Sequence, residues 1–475
     1  MTRNVKKKAG TRRSLFDLSY SKLFDADMGL LYPVFLKGCI PEDIFKIQAE
    51  AVIRFQPMVT PVLHEVNAYI HYFFVPYRLL WPEGLDTETK RPNDGFEVFI
   101  TGGHDGNQEP AIGRWSVSNN AVHSLWDHLE MPLGVNLPTA DEPVNFPQKA
   151  YNLIYNEHYR CDFLLDPIDL ESEVLQRGTW EKDYLQSCLP FQQLGDESTL
   201  PLTGLGFADF NTVSPVVIAA ENSYVSVYDS IPGDDTLNVA NPTASNNLKN
   251  ALSTNVVDFE DITAIELTDL RLTIRTQRIL ERSMRVGSRY FEYIGAVFGS
   301  RNLDMRLNRP EYIGGAKAPV IFSEVLQTSE SSTTAQGNMA GHGISVSRNF
   351  ISKFHVPEHG LIMGILCVKP RTMYFQGLDY EWSKTTRFDY YDPEFANLTE
   401  RAVLVKELYA TSNQGNNNTV FGYQGMWNEM RASTDKICGQ MRTILPYSAW
   451  HMGIEYATQP AWIVTGKPNT VLLLP

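Results

Sequence analysis

Six arginines recur through one stretch of the chain, at positions 271, 275, 278, 282, 285 and 289. Steps of 4, 3, 4, 3 and 4 residues put Arg271, Arg275, Arg278, Arg282, Arg285 and Arg289 within a sector of about 80° on a helix. Leu280, Met284, Gly287, Phe291, Ile294 and Phe298 fall on the opposite side, so the segment reads as a long amphipathic helix. Six guanidinium groups in a row repel one another, and only Glu281 and Glu292 stand nearby to offset them. Such a stripe calls for an anionic partner: carboxylates of another segment, another subunit, or nucleic-acid phosphates. The plainer alternative is a solvated face.

A second set of cations opens the chain. MTRNVKKKAGTRR carries Arg3, Lys6, Lys7, Lys8, Arg12 and Arg13 and no acid, while the whole chain has a net charge of −14. Without those thirteen residues, 35 basic side chains face 55 acidic ones, a balance of −20. A basic arm on an acidic body suits contact with a polyanion, or else serves as a solubilising terminus. The next stretch, SLFDLSYSKLFDAD, holds Asp17, Lys22 and Asp25 where a secretory signal needs an apolar run. The longest apolar run of note, LIMGILCV at 361–368, is far too short to span a membrane.

Catalytic and metal-binding patterns do not emerge. HVPEH places His355 and His359 four apart, but Pro357 between them forbids the helix that a HExxH zinc site requires. GGHDGNQE at 102–109 lacks the spaced carboxylates and closing Glu of a calcium loop. His123 and His128 flank Trp126 and suit packing and surface roles better than ligation. There is no GxSxG, phosphate-binding loop or GxGxxG, and the five cysteines form no CxxC. The expectation is a protein with no enzymatic activity, no cofactor and no recognisable metal-ligand set, made in a reducing cytoplasm.

The elements read as mainly β. Residues 44–56 place Phe45, Ile47, Ala49, Ala51, Ile53 and Phe55 on one side, and Lys46, Gln48, Glu50 and Arg54 on the other. VNAYIHYFFVPYRLLW at 66–81 is stranger: six of its sixteen residues are aromatic, and both faces of the strand are apolar. Residues 82–150 are loop-rich, with one helix predicted over NNAVHSLWDHLE, capped by Asn120 and presenting Val122, Leu125, Trp126 and Leu129. Residues 196–262 hold ten acids and a single base, Lys249, and read as an exposed insertion. Strand signals return after 343 in ISVSRNFISKFHV, LIMGILCVKPRTMYF, RAVLVKELYA, NTVFGYQ and NTVLLLP, separated by polar loops. Many short strands with Gly and Pro turns predict a sandwich or barrel.

Motifs dispersed along nearly the whole chain carry a resemblance: FDLSYSKLFDADMGLLYPVF, YFFVPYRLLW at 72–81, DLRLTIRTQRILER, RPEYIGG at 309–315, AQGNMAG, MYFQGLDYEWSKTTRFDYYDPEFANL, FGYQGMWNEMR and AWH at 449–451. In these the chain resembles the major capsid proteins of Microviridae, the small tailless single-stranded-DNA phages, and among them the gokushovirus branch. It departs from the pattern in 196–262, where that family varies most.

The resemblance implies an eight-stranded antiparallel viral jelly roll with long inserted loops and a few helices. It implies a basic arm over 1–30, then one jelly-roll domain over 31–475 with insertions at about 82–150 and 196–262. It further implies a T=1 icosahedral shell of this chain around circular single-stranded DNA, assembled in the bacterial cytoplasm and forming part of the virion. The partners implied are a scaffolding protein, a small basic DNA-binding protein and a host cell-surface receptor met by the 196–262 protrusion. Two other readings remain open from residues alone: a secreted carbohydrate-binding β-sandwich, and a capsid protein of a virus with an RNA genome. For the aromatic strand, the expectation is that Val66, Ala68, Ile70, Tyr72 and Phe74 fill the space between sheets. Phe73 is then covered by an inserted loop such as 82–150 or by a neighbouring subunit, with Arg78 and Trp81 where the strand gives way to that cover.

Overall fold

The computed structural model describes residues 14–58, 60, 62–81, 95–101, 112–115, 121–135, 137–193, 227–228, 238–239, 267–286, 308–326, 339–395, 400–442, 447–458 and 460. The chain divides into two compact units, Met1–Gln192 with Gly287–Pro475, and Gln193–Val286.

In the first unit, strands β1 (Tyr32–Cys39), β2 (Ile44–Arg54) and β3 (Val66–Pro76) come from the early chain. Strands β6 (Glu311–Leu326), β7 (Met339–His355) and β8 (Gly360–Pro370) come from the late chain, while β4 (Val227–Tyr228) and β5 (Asn238–Val239) belong to the second unit. They form one six-stranded sheet in the order β1-β8-β3-β6-β7-β2, with every neighbouring pair antiparallel. Sequence neighbours such as β1 and β2 lie at opposite edges, and the first strand pairs with the last, as in a jelly roll built from interleaved Greek keys. Among the described residues the sheet holds these six strands. Strand β6 carries the curl. Its residues up to Val320 pair with β3, and those from Ile321 onward pair with β7.

Strand β3 answers the question its composition raised. Val66, Ala68, Ile70, Tyr72 and Phe74 join Ile47 and Ala49 of β2, Ile362, Leu366 and Val368 of β8, and Phe354 of β7 in one buried cluster. Gly364 sits where a side chain would meet the Tyr72 ring at 2.9 Å, so its missing Cβ lets that ring lie across β8. Phe73 and Val75 point the other way into a second cluster with Leu361, Met363, Ile365 and Cys367 of β8. The sheet is therefore a middle layer with apolar matter on both sides.

The second side is covered by helices, in agreement with the expectation for Phe73, which is only 2% exposed. Helix α1 (Tyr77–Leu80) follows Pro76 directly, α2 spans Gly95–Thr101, α3 Leu125–His128 and α4 Phe146–Ile154. Their Leu80, Trp81, Phe96, Leu125, Trp126, Phe146, Ala150 and Tyr151 complete the cluster with Trp115. Arg78 is buried at the junction, donating from Nε to Glu358 and from Nη1 to Asn308. The cover directly over Phe73 comes from beyond residues 82–150, however. Helix α4 runs on into a π turn, Tyr155–Tyr159, that sets His158 4.7 Å and Tyr159 6.0 Å from the Phe73 ring. His71, beside it, bonds the Tyr159 hydroxyl at 2.8 Å. Burial, then the charges of Lys369 and His158, pushes the His71 pKa down to about 4, so the ring stays neutral in this layer.

The helix predicted over NNAVHSLWDHLE is shorter than expected. His123 adopts a positive φ of 64°, which interrupts helical geometry, and Ser124 takes the capping role by accepting from the Asp127 N–H. Val122 is exposed rather than packed, and Asn120 lies outside the described residues. His128 is buried, and the exposed His123 sets its Nε2 3.3 Å from the Asp25 carboxylate, so these two divide between packing and surface as expected. HVPEH is the turn from β7 into β8, with Pro357 between them. NTVLLLP lies outside the described residues.

Replacing Phe73 with Ala should destabilise the isolated chain by about 3–5 kcal/mol, since the site is sealed by both strand neighbours and the π turn. Urea unfolding followed by tryptophan fluorescence measures this. A loss under about 1 kcal/mol would mean that the second face is not a packed layer.

Candidate assembly surfaces

Residues 14–30 lead into β1. Tyr20 stacks on Phe35 at 5.7 Å and its hydroxyl accepts from the Leu36 N–H at 3.2 Å. Lys22 donates to the His128 and Pro33 carbonyls at 2.6 and 3.1 Å and pairs with Glu130 at 3.1 Å. Phe24 lies 6.0 Å from Tyr32 and 5.9 Å from His128. Tyr20 and Phe24 thus pack on their own chain, with Lys22 between them fastened on both sides. Leu15, Phe16 and Leu23 stay exposed along the same stretch. Arg3, Lys6, Lys7, Lys8, Arg12 and Arg13 lie outside the described residues.

In the second unit, the arginine helix exists as α5, Leu267–Val286. Arg271, Arg275 and Arg278 are exposed on it. Arg282 and Arg285 fall within the helix, and Arg289 lies outside the described residues, as do Phe291, Ile294 and Phe298. Gln277 donates to Gln193 and, at 3.2 Å, to Glu281. The two-residue strands Val227–Tyr228 and Asn238–Val239 pair antiparallel in this unit.

Loop placement in the first unit depends on buried amides that sequence reading passed over. Gln148, Asn152 and Asn156 recur every four residues, so they share one face of α4 and its continuation. All three are buried. Asn152 donates to the Leu170 and Ser172 carbonyls at 2.8 Å, and Asn156 exchanges two bonds with Ile168 at 2.8 and 2.9 Å. Gln148 donates to the Glu171 carbonyl. A row of amides at four-residue spacing along the helix was the available signal: such groups are buried only when they satisfy backbone that has no ladder of its own.

A small module near the end of the chain is pinned by charge. Strands Arg401–Leu404 and Val420–Gln424 pair antiparallel over a core of Leu185, Cys188, Tyr374, Val403, Val405, Leu408, Phe421 and Tyr456. Arg401 and Glu407 are nearly inaccessible and form a two-pronged bond, at 2.8 and 3.1 Å. The Arg401 guanidinium lies 3.7 Å over the Tyr380 ring and 3.8 Å from Glu429, which in turn lies 4.0 Å from buried Lys384. These contacts hold residues 378–394 against the module. Beside it, Lys182, Asp183, Tyr184, Ser187, Gln424, Asn428, Arg431 and Ala432 line an open cavity of about 340 Å³.

Among the described residues no group of His, Cys, Asp and Glu could hold a metal ion. None of the five cysteines is paired, and burial raises the thiols of Cys39 and Cys188 to about 12 and of Cys367 to about 11. No helix among the described residues is long and apolar enough to cross a membrane.

The sequence profile of the capsid protein (F protein) family matches residues 4–469. The chain belongs to that family. It is a phage capsid protein, a structural component of the virion, not an enzyme. It is 28% identical to capsid protein VP1 of Chlamydia phage 1, over 95% of this chain and 88% of that one. It is 29% identical to capsid protein VP1 of Bdellovibrio phage phiMH2K, over 95% and 87%, and 26% identical to that of Spiroplasma virus 4, over 94% and 86%. The secreted sugar-binding alternative falls with this result. A capsid protein works through shape, and here the amide row and the Arg401 cluster supply shape where sheet bonding ends.

Replacing Arg401 with Met should cost about 3–5 kcal/mol, because it leaves the Glu407 carboxylate buried without its partner. Replacing Arg401 with Met and Glu407 with Leu together should cost clearly less. Denaturant midpoints of the three proteins test this, and equal losses for the single and double variants would contradict it.

Proposed function

We propose that this capsid protein is the major subunit of a T=1 icosahedral shell closed around circular single-stranded DNA. The carrying observation is the family match across residues 4–469, which spans both the basic run and the jelly roll. Residues 1–30 act as an arm whose Arg3, Lys6, Lys7, Lys8, Arg12 and Arg13 neutralise phosphates with release of counterions. Residues 31–475 form one jelly-roll domain with insertions at about 82–150 and 196–262. The charge asymmetry supports this division of labour, with +6 on the first thirteen residues against −9 on 196–262. The acidic insertion forms an outer protrusion that meets the host surface. The stripe Arg271, Arg275, Arg278, Arg282, Arg285 and Arg289 faces carboxylates within or between subunits. Assembly takes place in the bacterial cytoplasm with a scaffolding protein and a small basic DNA-binding protein.

Electron microscopy of the purified chain should show uniform particles roughly 250–300 Å across, as closed symmetry of chains this size requires. Neutralising Lys6, Lys7, Lys8, Arg12 and Arg13 together should leave circular dichroism unchanged while lowering the nuclease-protected DNA per particle. Undiminished protected DNA would remove the arm from genome binding. Deleting residues 196–262 should leave particle diameter intact and abolish adsorption to host cells. Insoluble protein would instead make the segment part of the core.

A further inference from the structure

Two exposed surfaces of the first unit carry opposite charge, and both are apolar. The first is the outward face of β2 and β7 with the adjoining part of β6. Here Val52 pairs across from Val346, and Ile344 pairs with Ile321. Val52, Ile321, Val346 and Phe350 are 62–66% exposed. The same face presents Lys46, Arg54, Arg348 and Lys353 against a single acid, Glu50, for a balance of +3. Lys46 stands directly opposite Lys353 in the ladder, and neither forms an ion pair among the described residues. Like charges so placed destabilise a lone sheet.

The second surface is the segment 378–394. Trp382, Phe388, Tyr390 and Tyr391 are 51–75% exposed there. Five acids, Asp379, Glu381, Asp389, Asp392 and Glu394, face two bases, Lys384 and Arg387, for −3. Lys384 is itself buried against Glu429, and Arg401 clamps Tyr380 from below. The aromatic side chains are thus displayed on a fixed base, which lowers the ordering cost of a contact. Exposed apolar patches of this kind on a soluble chain mark interaction sites.

We propose that these are the two halves of one heterologous interface: the basic aliphatic sheet face of one copy takes the acidic aromatic segment 378–394 of the next. This rests on the shell reading and names the surfaces that would build it. A head-to-tail contact between unlike patches closes into a ring when its rotation permits. The opposed lysines gain carboxylate partners, and the aliphatic pairs gain aromatic cover. Single-stranded DNA fits the sheet face less well, since its centre is four clustered aliphatic residues and, among the described residues, Phe350 is its one exposed phenyl ring.

The test is a charge exchange in the full chain. One variant carries Lys46→Glu and Lys353→Glu, another Glu381→Lys and Glu394→Lys, and a third carries all four. Circular dichroism should be unchanged in each, as these side chains are exposed. Sedimentation should show particle yield reduced at least about tenfold in either pair variant, from like charges brought face to face. The four-fold variant should recover most of the wild-type yield. Wild-type yield from either pair variant, or no recovery in the four-fold variant, overturns the interface. So does a sheet-face variant that assembles normally but protects less DNA, which would make that face a nucleic-acid surface. A wild-type chain that forms no particles overturns the shell reading and the interface with it.

Discussion

Strands β3 and β8 cannot stand at a water-facing surface. Alternate residues of each enter different buried clusters, so both sides of the pair must be sealed at once. A two-layer sandwich seals one side. The other side requires a further layer, and helices α1 to α4 with the π turn at 155–159 supply it. Much of the chain between β3 and residue 181 is explained by this need, with the aromatic side chains as its filling and the buried amides as its fastening.

That layer also shows why polar groups sit so deep in a structural protein. A cover made of short helices and loops has few ladder bonds, so its carbonyls need partners from side chains. Gln148, Asn152 and Asn156 provide them, and the Tyr151 hydroxyl does the same by donating to the Leu31 carbonyl and accepting from Gln176, both at 2.9 Å. In the terminal module the same task falls to charge, since Glu407 accepts from the Leu404 N–H as well as from Arg401. These groups set the position of surfaces from which a shell can be made.

Sheet content, the inward sets of β2 and β3, and the burial of Phe73 were legible because a period of two forces each side chain to one face. The source of the cover was less legible. His158 and Tyr159 meet Phe73 through a π turn, and no local pattern in AYNLIYNEHY at 150–159 announces that widened turn. The helix near Trp126 is shorter than its apolar spacing implies, because that spacing runs through His123, whose backbone is left-handed. The fastened segment 378–394 was invisible because Arg401 and Tyr380 are far apart in sequence and meet only through tertiary folding.

Strand β6 belongs to two halves of the sheet. Its first ten residues complete the hydrogen bonding of β3 and its last six that of β7. Neither half can peel away alone, because freeing β6 from one partner strips the other of its continuous backbone and bares two rows of N–H and C=O groups. The sheet should therefore open as one cooperative unit, with slow amide exchange shared by β3 and β7 although they are not ladder neighbours. For a container wall this matters mechanically. A load applied to one half is carried into the other through covalent bonds as well as through side-chain packing, so the wall resists tearing along the line where it bends.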